Sequence, residues 1–216
     1  MNVVVKSLSE TSITYKELAD LIHAAFEERV AQGLRFTCST MTSDQLESKM
    51  SGGQVLVALD PESEDLIGTV TIHVRTDERG HLYGYHEYLA ISPCFKRMGI
   101  ATQLAQAWIV LLKNKKAEYV LSDTACKAKS SVNWHLNNGF YVYELKSYRS
   151  TNYLSYVFIK YLDDSERLSP FQIKLHFLRS CLICKITRCR DGSLTLAGRL
   201  LNQLRVYLSR IKDRIN

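Results

Sequence analysis

The amino-acid sequence predicts an α/β (mixed α+β) domain, one central sheet flanked by helices, with an extra helical tail at its C-terminal end. Three observations predict it. The 216 residues are 46% apolar with only 3 prolines, an ordinary globular composition that excludes disorder and collagen-like repeats. The segment patterns run first as hairpins, then as strand, helix, strand, helix, strand. No uninterrupted apolar run reaches the roughly 18 residues that a membrane-spanning helix needs.

Taken in order, Val3 to Val5 read as a short first strand. Tyr15 to Val30 read as an amphipathic helix, because Leu18, Leu21, Ile22, Ala25 and Phe26 fall at helical spacing and Gly33 follows as a stop signal. A shorter helix starts at Ser43, with Asp44 near its positive end. Gln54 to Leu59 and Leu66 to Val74 form a hairpin around the polar turn Asp60 to Asp65. After the loop Asp77 to Gly80, a strand covers Gly84 to Ile91 and ends at Ser92-Pro93. A long helix follows from about Gly99 to Lys113, then a short buried strand over Tyr119 to Ser122. A compact helix from Ser130 to Asn137 is stopped by Asn138-Gly139. Phe140 to Leu145 and Tyr153 to Tyr161 make the last strand pair.

The charge is uneven. Lys and Arg total 28 against 22 Asp and Glu, and from Asp163 onward eleven basic residues face five acidic ones. The chain therefore divides into a neutral domain over residues 1–162 and a basic helical extension over 163–216. In the extension, Phe171, Leu175, Leu178 and Leu182 repeat at helical spacing, as do Leu194, Ala197, Leu201, Leu204, Leu208 and Ile211. Such stripes bury against the domain, in a homodimer, or on an anionic membrane surface as a peripheral contact; no nucleic-acid partner is expected. The N-terminus lacks a basic start and a long apolar stretch, so the expected location is cytoplasmic. Six scattered cysteines then read as reduced thiols. Cys181-x-x-Cys184 with Cys189 lacks a second CxxC, and no metal site is expected.

The chemically informative stretch joins the strand ending at Ile91 to the helix opening at Gly99, through the basic turn Lys96-Arg97-Met98. A helix N-terminus presents free N–H groups and a positive dipole end, which suits a pyrophosphate. Lys96-Arg97-Met98-Gly99-Ile100-Ala101 resembles the acetyl-CoA motif of the GNAT acetyltransferase superfamily, Arg/Gln-x-x-Gly-x-Gly/Ala, with lysine replacing the first residue. A second landmark of that family, a small helix followed by Gly-Phe, matches Ser130 to Phe140. The resemblance covers Val3 to Leu162.

The resemblance implies a mixed, mostly antiparallel sheet. It also implies acetyl-CoA as co-substrate, held by the backbone of Leu89, Ala90 and Ile91, the turn Lys96 to Ala101, Thr102 and Ser131. Glu87 lies two residues before Leu89, so simple alternation puts both on one strand face; Glu87 is the expected general base. His135, four residues before Gly139, stands where many family members carry a tyrosine, and is the expected acid toward the departing thiolate, with pH sensitivity around neutrality. The acceptor pocket falls to the first two helices and the last hairpin, with Phe26, Arg29, Arg35 and Tyr153 as contacts. Aromatics mixed with both charge signs suit a small polar amine, such as an amino sugar or amino acid derivative. The implied function is N-acetyltransfer to that amine by direct attack. An acyl-CoA-binding module without catalysis and a protein N-acetyltransferase stand as alternatives.

Overall fold

The structure is a computed structural model and describes residues 1–162 and 168–187. Helix α1 (Tyr15–Ala31) forms where the apolar spacing places it, and Leu18, Leu21, Ile22, Ala25 and Phe26 are all buried. Thr14 caps it. Its hydroxyl accepts from the Glu17 amide, and the Glu17 carboxylate accepts from the Thr14 amide. Helix α2 (Ser43–Met50) opens with the same reciprocal cap, made by Thr42 and Gln45.

Among the described residues, seven strands form one sheet in the order β1-β2-β3-β4-β5-β7-β6. They are β1 (Val4–Ser7), β2 (Gln54–Leu59), β3 (Leu66–Thr76), β4 (Leu82–Ile91), β5 (Tyr119–Ala125), β6 (Tyr141–Ser147) and β7 (Leu154–Tyr161). Only β4 and β5 run parallel. A parallel pair needs a crossover, and helix α3 (Ile100–Asn114) supplies it. Helix α4 (Lys129–Asn137) lies between β5 and β6 in sequence.

The sheet separates two apolar cores. One lies under α1 and α2 and includes Leu18, Ile22, Phe26, Phe36, Leu46 and Val57. The other lies under α3, where Ile100, Leu104, Trp108 and Leu112, four residues apart, meet Val70, Ile72, Val120 and Phe158. Gly84 allows this close approach, since a Cβ there would overlap the Leu112 side chain.

Helix α5 (Pro170–Thr187) docks on β6. The Leu145 amide donates to Ser180 Oγ at 2.8 Å, Cys184 Sγ donates to the Leu145 carbonyl at 3.3 Å, and Tyr143 stacks on His176. The predicted stripe Phe171, Leu175, Leu178 and Leu182 is exposed. Of the three places expected for it, burial against the domain is thereby excluded: the side carrying Ile173, His176, Phe177 and Ser180 docks instead. The second stripe, from Leu194 onward, lies outside the described residues. No helix among the described residues is long and apolar enough to cross a membrane.

Gly84→Val overpacks the α3 interface. It is expected to lower stability by about 1–3 kcal/mol, read as a drop in the thermal or urea midpoint; an unchanged midpoint would contradict the close packing described.

Candidate functional site

The site begins where two strands part. Strands β4 and β5 pair from Tyr83↔Tyr119 to His86↔Ser122 and no further. Beyond that point β5 pairs only with β7, through Ala125↔Ser155, and β4 only with β3. The facing backbone edges of residues 87–91 and 123–125 therefore have no partner strand. A cleft of about 720 Å³ opens between them and runs from the turn at Gly99 to Tyr148 and Tyr153.

A bulge in β4 sets which side chains enter. The register against β3 shifts between Thr69 and Thr71, and Tyr88 takes a left-handed φ of 56°. Before the bulge, Gly84 and His86 face α3, packing toward Leu112 and Trp108. Tyr85 and Glu87 therefore face the α1 side. After it, Leu89 and Ile91 pack with the α3 core, while Tyr88 and Ala90 pack with the α1 core. Glu87 and Leu89 thus lie on opposite faces. The extra residue breaks the alternation from which a shared face was expected.

Glu87 is joined by a second carboxylate that the sequence reading missed. Asp123 lines the same end of the cleft and accepts from the Tyr85 hydroxyl at 2.5 Å. Burial pushes both carboxyls above the usual range. For Glu87, the Arg75 guanidinium at 3.5 Å opposes the rise and the Asp123 charge adds to it. For Asp123, the Tyr85 hydrogen bond opposes it. His73 Nε2 stands 3.6 Å from Glu87. The strand end expected at Ser122 concealed Asp123; β5 in fact continues to Ala125.

At the other end, Arg97 and Gly99 take left-handed φ values of 67° and 81°. The amides of Thr102 and Gln103 return to the Gly99 carbonyl. Those of Arg97, Met98, Gly99, Ile100 and Ala101 have no acceptor among the described residues. A Cβ built on Gly99 meets nothing within 4 Å, so the turn leaves room above its free amides. These features fit a pyrophosphate-bearing ligand such as acetyl-CoA. Lys96 Nζ lies 3.3 Å from Glu28 of α1, an exposed ion pair. Met98 is exposed and does not line the cleft, Ile100 is buried beneath the turn, and Thr102 Oγ1 contacts Asn138 at 3.5 Å.

His135 sits at the base of the cleft with both ring nitrogens engaged. Nδ1 lies 2.7 Å from the Ser131 carbonyl, which only accepts, so Nδ1 carries the proton. Nε2 then accepts from the Ser122 hydroxyl at 2.9 Å. Ser122 Oγ in turn accepts from His86 Nε2. Among the described residues, His86 Nδ1 is left buried without a partner. Burial, chiefly, pushes His86 down to about 3 and His135 to about 4. Both rings are neutral near pH 7. Burial of His135 thus works against the pH sensitivity around neutrality expected of that ring.

At the acceptor end Phe26, Phe36 and Tyr153 form a chain of rings with centroids 4.9 and 4.8 Å apart. The Arg29 guanidinium lies 5.0 Å from the Phe26 centroid and 5.7 Å from that of Phe36. Arg35, expected as a contact, is instead exposed outside the cleft, its amide bonded to Asn152. Ser122, His86, Asp123 and Tyr85 were not expected. Period-2 alternation links Tyr85 to Glu87, but the Ser122–His86 contact depends on the parallel register between β4 and β5. Among the described residues, no group of three His, Cys, Asp or Glu is placed to hold a metal ion.

The fold is that of the GNAT acetyltransferases. The family model of the GNAT acetyltransferases matches residues 16–140, and the chain belongs to that family. Solved structures agree in fold. A GNAT-family acetyltransferase from Staphylococcus aureus Mu50 superposes with a TM-score of 0.56 at 16% identity, covering 75% of this chain and 100% of that one. An Elizabethkingia anophelis GNAT acetyltransferase with acetyl-CoA bound gives 0.55 at 14%, covering 74% and 98%. A chain of the NatC complex bound to Gag peptide and CoA gives 0.56 at 17%, covering 76% and 100%. No curated protein matches the chain at a significant level.

Two outcomes follow. Gly99→Val places a side chain over the free amides and strains a left-handed residue; calorimetry is expected to show at least a tenfold weaker affinity for coenzyme A, and unchanged affinity would remove the turn from the site. The buried histidines also link stability to pH. Their folded values are depressed, so their contribution is complete above about 6.5 and is lost as pH falls toward about 4. Glu87 and Asp123, raised by burial, act with opposite sign at acid pH. The midpoint of His135→Phe should therefore fall less steeply than that of the wild type between pH 7 and 4; parallel curves would refute a buried neutral ring.

Proposed function

We propose that the protein transfers an acetyl group from acetyl-CoA to the primary amine of a small polar molecule by direct attack. The observation that carries this reading is the parting of β4 and β5 after His86↔Ser122. It exposes two unpaired backbone edges between the free amides at Gly99 and the carboxylates Glu87 and Asp123. Bound there, acetyl-CoA supplies an acetyl thioester, whose carbon bonds to the amine nitrogen as the thiol leaves.

The chain's own residues divide the remaining work. The turn from Lys96 to Ala101 holds the nucleotide end through main-chain amides. Free amides of the Leu89, Ala90 and Ile91 segment align the pantetheine arm and aim a donor at the carbonyl. Glu87 takes the proton that the ammonium must lose, with Asp123 beside it holding the local field negative. Burial tunes Glu87 upward, so it accepts a proton more readily than an exposed carboxylate. His135 acts in this reading as a neutral partner fixing the Ser122 hydroxyl where the strands part.

The test is free-thiol release from acetyl-CoA across a panel of amines, with products identified by mass spectrometry. Transfer to small amines supports the reading. Tight coenzyme A binding without transfer would favour a binding module, and transfer only to peptide N-termini would favour a protein acetyltransferase. Glu87→Gln is expected to lower kcat/KM by about 10²–10⁴-fold. The wild-type profile should lose activity as pH falls through the raised Glu87 value, and this acid limb should vanish in the variant. A variant that keeps both rate and limb would pass the base role to Asp123.

A further inference from the structure

We infer that Arg29 is an anion-recognition group of the acceptor site, and that the acceptor amine carries a carboxylate. This rests on the acetyltransfer reading above and names the chemistry of its substrate. Arg29 projects from α1 into the cleft, its guanidinium lying over both the Phe26 and the Phe36 ring. Among the described residues no carboxylate lies within ion-pair distance of it. Its sequence neighbour Glu28 is turned to Lys96 at 3.3 Å.

The thiol and the phenol beside the guanidinium are neutral, and the carboxylate that acts on it, Glu28, is exposed and turned to Lys96. Cys38 is pushed up to about 12 by burial, and the Tyr153 phenol is raised well above its usual value for the same reason. Burial also lowers the Arg29 value, and the Glu28 charge offsets this only in part, which records the cost of holding a cation there. A half-buried guanidinium is stable in such a place when a ligand supplies the anion, and its fork geometry suits a carboxylate.

The rest of the cleft completes the case. Tyr153 is within electrostatic reach of both Arg29 and Asp123. Glu87 and Asp123 line the same cleft. The pocket thus offers carboxylates, where the amine reacts, and a guanidinium, with one tyrosine in electrostatic reach of Asp123 and Arg29. An amine that also bears a carboxylate matches both. The partners of Arg29, namely Phe26, Phe36, Cys38 and Tyr153, belong to the core under α1; the coenzyme A affinity of the Arg29 variants tells acceptor recognition from a phosphate contact.

The experiment uses the full chain and thiol release with matched acceptors: α-amino acids, the same amino acids as α-carboxamides, and carboxamides of acidic amino acids that retain only a side-chain carboxylate. Wild type is expected to prefer a carboxylate-bearing acceptor at least tenfold in kcat/KM, and the third arm tells which carboxylate is read. Arg29→Gln should lower the ratio of acid to carboxamide kcat/KM at least tenfold, chiefly through the acceptor KM, with calorimetric affinity for coenzyme A unchanged. Arg29→Lys should restore part of the preference, and thermal melting of both variants checks folding. A wild type active on amines without preference for the acid overturns the assignment and leaves acetyltransfer standing. So does Arg29→Gln weakening coenzyme A or all acceptors equally. Silence of the wild type on every amine overturns the acetyltransfer reading, and the Arg29 assignment falls with it.

Discussion

The site depends on a backbone pairing that stops. Strands β4 and β5 are bonded over four residue pairs and then diverge, each keeping its outer neighbour. Unpaired amides and carbonyls inside a protein are costly unless something answers them. Here they are exposed to a cleft, where an extended ligand arm can do so. The bulge at Tyr88 bends and twists β4 just past the last bonded pair. Ser122, tied to His86 and His135, stands at the point of divergence. Rigid sheet on both sides keeps the opening in place, and the free helix end at Gly99 lies at its mouth.

Burial then sorts the charges within the opening. Histidine and carboxylate respond to the same desolvation with opposite consequences, since the charged form is penalised in each case. His86 and His135 are held neutral and become a fixed hydrogen-bond chain, whereas Glu87 and Asp123 become better proton acceptors. Arg29 cannot shed its proton within any ordinary pH range, so its charge persists in a ring-lined wall. One pocket therefore carries both signs of charge, with the neutral Tyr153 in electrostatic reach of Asp123 and Arg29.

Much of the fold was legible along the chain. The apolar spacing of α1 and α3 and the hairpin of β2 with β3 are local patterns, and local sterics and hydrophobic burial make them follow the sequence. The turn at Gly99 was legible for the same reason, because a left-handed residue opening a helix favours glycine. Glu87 and His135 were legible as candidates by their distance from Leu89 and Gly139. Their surroundings were not. Alternation assigned Glu87 the face of Leu89, and one extra residue in β4 reversed that. Asp123 was hidden because a carboxylate argues against a buried strand until its Tyr85 partner is seen across the sheet.

The sequence by itself determined the elements, the glycine turn and the family resemblance, all of which depend on neighbours within a few residues. Tertiary structure alone decided which carboxylates meet, that His135 is a neutral link to Ser122 and His86, that Arg29 enters the cleft while Arg35 faces solvent, and which side of α5 docks. Each of these turns on strand register or on burial, and both are set by contacts between residues far apart in the chain.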